Sequence, residues 1–211
     1  MPCIYGLQQG RDGGDSVVWD VRQSKGVFSV SSFYGAFAGD AIGVFPWKCI
    51  WALGSPTKVA FFVWTAILGR ILTIDNLIRR QHVLVDWCCM CCRDAKTVDH
   101  LLLHCSIASR LWGFIVALFG LVWVQSASVL GVLQSWGGAR VGKRHWKAWV
   151  FSSHCLLWLV WSERNRRVFQ DKCHSVSWLE SRLLMVLHSW VKGTVDPNVL
   201  VFVDFVEDLI S

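Results

Sequence analysis

One stretch, DWCCMCCRDAKTVDHLLLHCS at residues 86–106, constrains the fold more than any other. It holds five of the nine cysteines and two of the seven histidines. The simplest pattern in it is Cys88-x2-Cys91, eight residues, then His100-x4-Cys105. Two thiolates three positions apart fit one tight turn, and a His and a Cys from the next element close a tetrahedron. Zn2+ suits mixed sulfur and imidazole donors. Thr97 is placed to cap a helix running through VDHLLLHC. That helix raises a geometric problem. Residues five apart on a regular α-helix point about 140° from one another. His100 and Cys105 therefore share a metal only if the helix ends or unwinds before Cys105. His104 is the rival donor, because it shares a helix face with His100. Cys89 and Cys92 form a second, frameshifted pair. Spacing leaves these alternatives open, together with a metal-free one in which a Cys-rich loop lies beside a core helix.

The remaining composition fits a buried helical protein. With 54% hydrophobic and 17% charged residues the chain is apolar for a globular domain. The 14 tryptophans need burial for their rings and partners for their N–H groups, so they are expected at helix interfaces. The longest apolar runs, Gly113–Val124 and Ala148–Trp161, fall short of the roughly 20 residues of a membrane span and read as buried helices. The opening residues carry no apolar stretch of signal-peptide length, which gives the expectation of an intracellular, nuclear or cytoplasmic protein with reduced thiols.

Along the chain, residues 1–16 read as a flexible lead-in. VVWDVRQSKGVFSV alternates as a short β-hairpin. Pro46 opens a helix with Trp47, Ile50 and Trp51 on one face. Ser55 is a candidate cap and Pro56 a first helical residue, with Gly69 as the stop. Thr73 caps a short helix. A further apolar helix ends at Gly120. Ser128 caps VLGVLQSW. The longest helical pattern starts near Trp146, and the last has Ser177 and Glu180 as a capping box. The segment after Pro197 is a short helix or a strand. The expected architecture is mainly α, an irregular helical bundle with a short N-terminal β-hairpin and a structural zinc knuckle. The expected domains are a zinc-binding region over 17–124, a linker over 125–145 and a helical region over 146–211.

A set of residues carries a resemblance. Trp47, Trp51, Pro56, Lys58-Val59, Phe62 and Trp64 are followed by Thr73, Asp75-Asn76-Leu77 and Arg80. Then come Cys88, Cys91, His100-Leu101, Cys105, Ala108 and Leu111-Trp112. Together, over about residues 28–112, they resemble the reverse transcriptase zinc-binding domain of plant non-LTR retrotransposon polyproteins. Trp161–Phe169, WSERNRRVF, resembles a stretch that often follows in such polyproteins. The resemblance implies Cys88, Cys91, His100 and Cys105 as zinc ligands and a reverse transcriptase as the parent context. The sequence departs from the pattern at Lys96, where Glu is usual, and at Cys92, where Lys or Gly is usual.

No paired-Asp loop occurs, and the fifteen acidic residues are scattered. The expectation is therefore a non-catalytic module. The alternative is a metal-free relic or interaction domain. The net charge of +6 permits nucleic-acid contact without demanding it. Lys143, Arg144 and Lys147 on one side, and Arg164, Arg166 and Arg167 on the other, flank the longest helix with cations and are the candidates for touching RNA or DNA. The plainer reading of both groups is solvated helix ends.

Overall fold

The computed structural model describes residues 50–51, 54–79, 87–93, 97–194, 205–207 and 209. All of them lie in the compact unit Pro46–Ser211. The expected β-hairpin, Trp47 and Arg80 fall outside the described residues. Within those residues the protein is helical, without strands. The helices are α1 (Thr57–Ile67), α2 (Ile74–Arg79), α3 (Ser106–Leu118), α4 (Val129–Trp136), α5 (Trp146–Gln170) and α6 (Val176–Thr194). A π-helical turn, His100–His104, precedes α3. Residues 205–207 are also helical.

Local chemistry sets most of the boundaries. Pro56 stands one position before α1, as its N-cap, and its carbonyl accepts from Val59 and Ala60. It is not the first helical residue. Ser55 does not cap, and its Oγ is buried without a hydrogen-bond partner. Gly69 ends the segment at φ +64°, a left-handed conformation open to glycine. Asn76 then ties the turn together. Its side-chain amide donates to the carbonyls of Gly69 (2.7 Å) and Ile71 (2.8 Å). Thr73 begins α2 by accepting from Leu77 N–H. Ser128 caps α4 through Gly131 N–H at 3.1 Å, as its sequence suggests. At α6 the cap is Ser175, which accepts from Trp178 N–H, and Ser177 lies inside the helix. Glu180 does not reach back to a cap; it pairs with Arg110 of α3 at 3.1 Å. Ile50 is buried whereas Trp51 is 45% exposed, so these two do not share one face.

Helix α5 is the spine. Residues 148–157 are buried without a break, and α5 packs against α1, α3, α4, α6 and the π-helical turn. A helix enclosed on all sides has no reason to be amphipathic. This explains the apolar run from Ala148 without a membrane, and no helix among the described residues is long and apolar enough to cross one. Trp136 of α4 and Trp149 of α5 stack at 3.8 Å with an interplanar angle of 6°. Each indole N–H donates to the other residue's carbonyl, both at 2.9 Å. Trp112 meets the edge of Trp136 at 5.0 Å, and Phe119 meets Trp149 at 5.2 Å. Phe62 of α1 lies between Trp158 and Trp161 of α5, 5.5 Å from each.

The π-helical turn depends on this aromatic core. Widening a helix to i→i+5 bonding leaves nearby carbonyls without their usual partners. Here the indole N–H of Trp112 donates to the Leu102 carbonyl at 2.9 Å, and Gln125 Nε2 donates to the Leu103 carbonyl at 2.7 Å. Asp99 reaches from the turn to the first N–H of α4, that of Val129, at 2.8 Å.

Two outcomes follow. Trp112→Phe keeps most of the ring but leaves the buried Leu102 carbonyl unpaired. It should lower the unfolding free energy by about 1–3 kcal/mol in a denaturant titration. His154, fully buried in α5 with Nε2 unpartnered, gives a pH effect. Burial pushes its pKa from 6.5 down to about 4. Below pH 6.5 the unfolded chain takes up a proton that the folded one refuses until about pH 4. The stability contributed by neutral His154 is thus complete above pH 6.5 and lost as pH falls toward 4, by about 3 kcal/mol in total. His154→Leu should show a smaller loss than wild type between pH 7 and 4.5 in parallel denaturation curves.

Candidate metal centre

The ligating atoms of Cys88, Cys91, His100 and Cys105 all lie within 4.8 Å of one another. Cys88 Sγ is 4.0 Å from Cys105 Sγ, and Cys91 Sγ is 3.4 Å from His100 Nε2. Zinc–sulfur bonds of about 2.3 Å in a tetrahedron place sulfurs about 3.8 Å apart, so this donor set fits zinc by chemistry and by spacing.

Two structural devices assemble the four. The first is the turn at 88–93, in which Cys92 N–H donates to the Cys88 carbonyl and Cys88 N–H to that of Arg93. The N–H groups of Met90 and Cys91 point at Cys88 Sγ. Cys92 sits at φ 55°, a left-handed conformation that glycine adopts most easily. The second device is the π-helical turn. Thr97 Oγ1 accepts from His100 N–H at 3.1 Å. Cys105 N–H donates five residues back to the His100 carbonyl at 2.6 Å. The backbone then turns to φ −56°, ψ 136° at Cys105, which becomes the N-cap of α3. The regular helix ends here, and a spacing that would separate His100 and Cys105 brings them to one point.

The electrostatics favour thiolate. Cys88 Sγ and Cys105 Sγ share a hydrogen bond, and the N–H groups of Cys91 and Met90 add to it against the opposing effect of burial. The Cys88 pKa is thereby lowered to about 4. Cys105 is correspondingly raised, because it shares that hydrogen bond with Cys88 and is buried. Ile107 N–H, in the first turn of α3, also faces Cys105 Sγ.

The alternative donors lie elsewhere. His104 Nε2 donates to the Ala127 carbonyl at 3.1 Å. Cys92 is exposed. Cys89 is half-buried; burial pushes its thiol up, and Arg164 and Arg167 stand near it.

Part of the WSERNRRVF stretch is internal structure: Glu163 and Arg164 are buried and Arg167 is half-buried, whereas Val168 and Phe169 are exposed. Arg164 is only 4% exposed. It donates to the Leu72 carbonyl at 3.1 Å and lies over the Trp161 ring at 5.0 Å. Arg167 donates from Nη1 to the Met90 carbonyl at 2.9 Å. Its Nε bonds Glu163 Oε1 at 2.9 Å, and His174 Nδ1 meets Glu163 Oε2, also at 2.9 Å. Burial pushes the Glu163 carboxyl up, but the backbone and ring of His174 and the Arg167 guanidinium outweigh it and hold the pKa below the usual range. Of the candidate phosphate-contacting residues, Arg164 and Arg167 have their guanidinium groups engaged inside the fold. Arg166 keeps a side chain 39% exposed, and Lys143, Arg144 and Lys147 are exposed. The internal role was not readable from sequence, because its acceptors, Leu72 and Met90, are backbone groups far away in the chain.

No curated protein and no solved structure matches the chain. Residues 28–112, which contain all four members of the Cys3His cluster and end on Trp112, match the model of the family described as zinc-binding in reverse transcriptase.

Proposed function

We propose that this protein is a non-catalytic zinc-binding module of the kind carried by retrotransposon reverse transcriptase polyproteins, of the plant non-LTR type. Convergence of Cys88, Cys91, His100 and Cys105 within 4.8 Å carries the reading. Zinc held by four protein donors supplies a cross-link and leaves no open position for substrate or water. The centre then fastens the 88–93 turn to the start of α3. Protein purified without added zinc should contain one zinc per chain by elemental analysis, and Cys91→Ser should lose it. Wild type without metal, and equally stable in a strong chelator, would replace this reading with the metal-free fold.

The parent context makes RNA or DNA the expected partner. Lys143, Arg144 and Lys147 support this, clustered with His145 and Trp146 at the start of α5. Arg166 is a further candidate along the helix. Affinity for a single-stranded RNA should fall with salt. Changing Lys143, Arg144 and Lys147 together to Ala should lower the slope of log affinity against log salt by about 2. An unchanged slope would remove these residues from the interface.

A further inference from the structure

The matched region ends at Trp112, yet the centre is gripped from residue 167. We propose that Arg167, held by Glu163 and His174, is a positioning residue for the metal centre, so that zinc binding and the seating of α5 and α6 form one coupled equilibrium. This rests on the zinc reading above and extends it to residues that make no contact with the metal.

The coupling runs through one peptide group. The carbonyl of Met90 and the N–H of Cys91 belong to the same planar unit. On one side, that N–H faces Cys88 Sγ. On the other, the carbonyl accepts from Arg167 Nη1 at 2.9 Å. A guanidinium on the carbonyl fixes the rotation of the peptide and polarises its N–H toward the sulfur. Arg167 in turn has little freedom. Nε is bound by Glu163 Oε1 at 2.9 Å, and Nη2 lies 3.5 Å from the His174 carbonyl. Glu163, with a side chain 1% exposed, also takes the N–H of His174 at 2.9 Å. His174 stacks on Trp178 of α6 at 3.6 Å. The chain of contacts thus passes from Cys88 through the 90–91 peptide, Arg167, Glu163 and His174 to the first turn of α6. Arg164, one helical turn before Arg167, holds the Leu72 carbonyl in the same way. Arg164 and Arg167 therefore both grip backbone of the matched region.

A merely structural Arg167 would stabilise metal-loaded and metal-free protein alike and leave zinc affinity unchanged. A positioning Arg167 favours the loaded form, so its removal must weaken zinc binding by the same factor that zinc strengthens the contact. The test uses the full chain and competition for zinc with a chromophoric chelator. Arg167→Met should weaken zinc about tenfold, within the range typical of groups that orient metal ligands. The cobalt(II)-loaded variant should also show shifted thiolate-to-metal absorption, while Arg182→Met, an exposed change on α6, alters neither. Should Arg167→Met fail to fold, Glu163→Gln keeps the arginine but loosens it, and should weaken zinc several-fold. Unchanged affinity and an unchanged cobalt spectrum in the folded variant overturn the coupling alone. A wild-type protein that binds no zinc overturns the coupling together with the zinc reading.

Discussion

The hydrogen bond from Cys105 N–H to the His100 carbonyl, five residues back, is the constraint on which the site depends. An α-helical bond to residue 101 would carry Cys105 around the axis, away from His100. The wider turn is locally unfavourable because it strands backbone acceptors. It persists because distant side chains satisfy them: Trp112 takes the Leu102 carbonyl and Gln125 the Leu103 carbonyl. Part of the aromatic core is therefore the reason that His100 and Cys105 meet. Trp112 is packed in turn by Trp136, and Trp136 by Trp149. The geometry at the donors is set by packing along α4 and α5.

Burying Glu163, Arg164 and Arg167 looks unfavourable beside an apolar alternative, since desolvating charge commonly outweighs pairing. Their hydrogen bonds show what an apolar replacement would lack. Each guanidinium ends on a backbone carbonyl in an irregular segment, at Leu72 or at Met90. Hydrophobic contacts tolerate sliding, whereas a charge-assisted bond to one carbonyl specifies a register. Ile71 and Met90 are buried in these segments, but apolar contact alone gives no direction. Charge inside the fold fixes loops, and tryptophan fixes helices.

Much of this was legible beforehand where the information is local. The helices starting at Ser128 and near Trp146, the stops at Gly69 and Gly120, and the Thr97 cap all follow from backbone chemistry within a few residues. The four clustered residues stand out in the sequence, but their choice over His104, Cys89 and Cys92 does not. It depends on the 88–93 turn and on the π-helical turn, whose supporting groups lie at positions 112 and 125. The capping box misled for the same reason. Ser177 and Glu180 have the right spacing, but Ser175 takes the cap and Arg110 of another helix takes Glu180. Arg164 and Arg167 are indistinguishable in sequence from solvated cations, because their partners are backbone carbonyls roughly eighty to ninety residues earlier.

The two halves of the cluster differ in what orders them. Cys105 is the N-cap of α3 and His100 begins the π-helical turn, so both stand on helical turns that meet at a break in the backbone at Cys105. Cys88 and Cys91 stand on a short turn with Cys92 in a left-handed conformation that only an unusual non-glycine residue adopts. Left alone, such a turn would spend conformational entropy on each metal-binding event and bind weakly. Two bonds within the turn, from Cys88 N–H and Cys92 N–H, offset part of this, and an arginine on Met90 adds to them from outside. On the proposed reading, helix α5 thus belongs to the metal centre as much as the cysteines do: it holds in advance the half of the site that its own residues would leave loose.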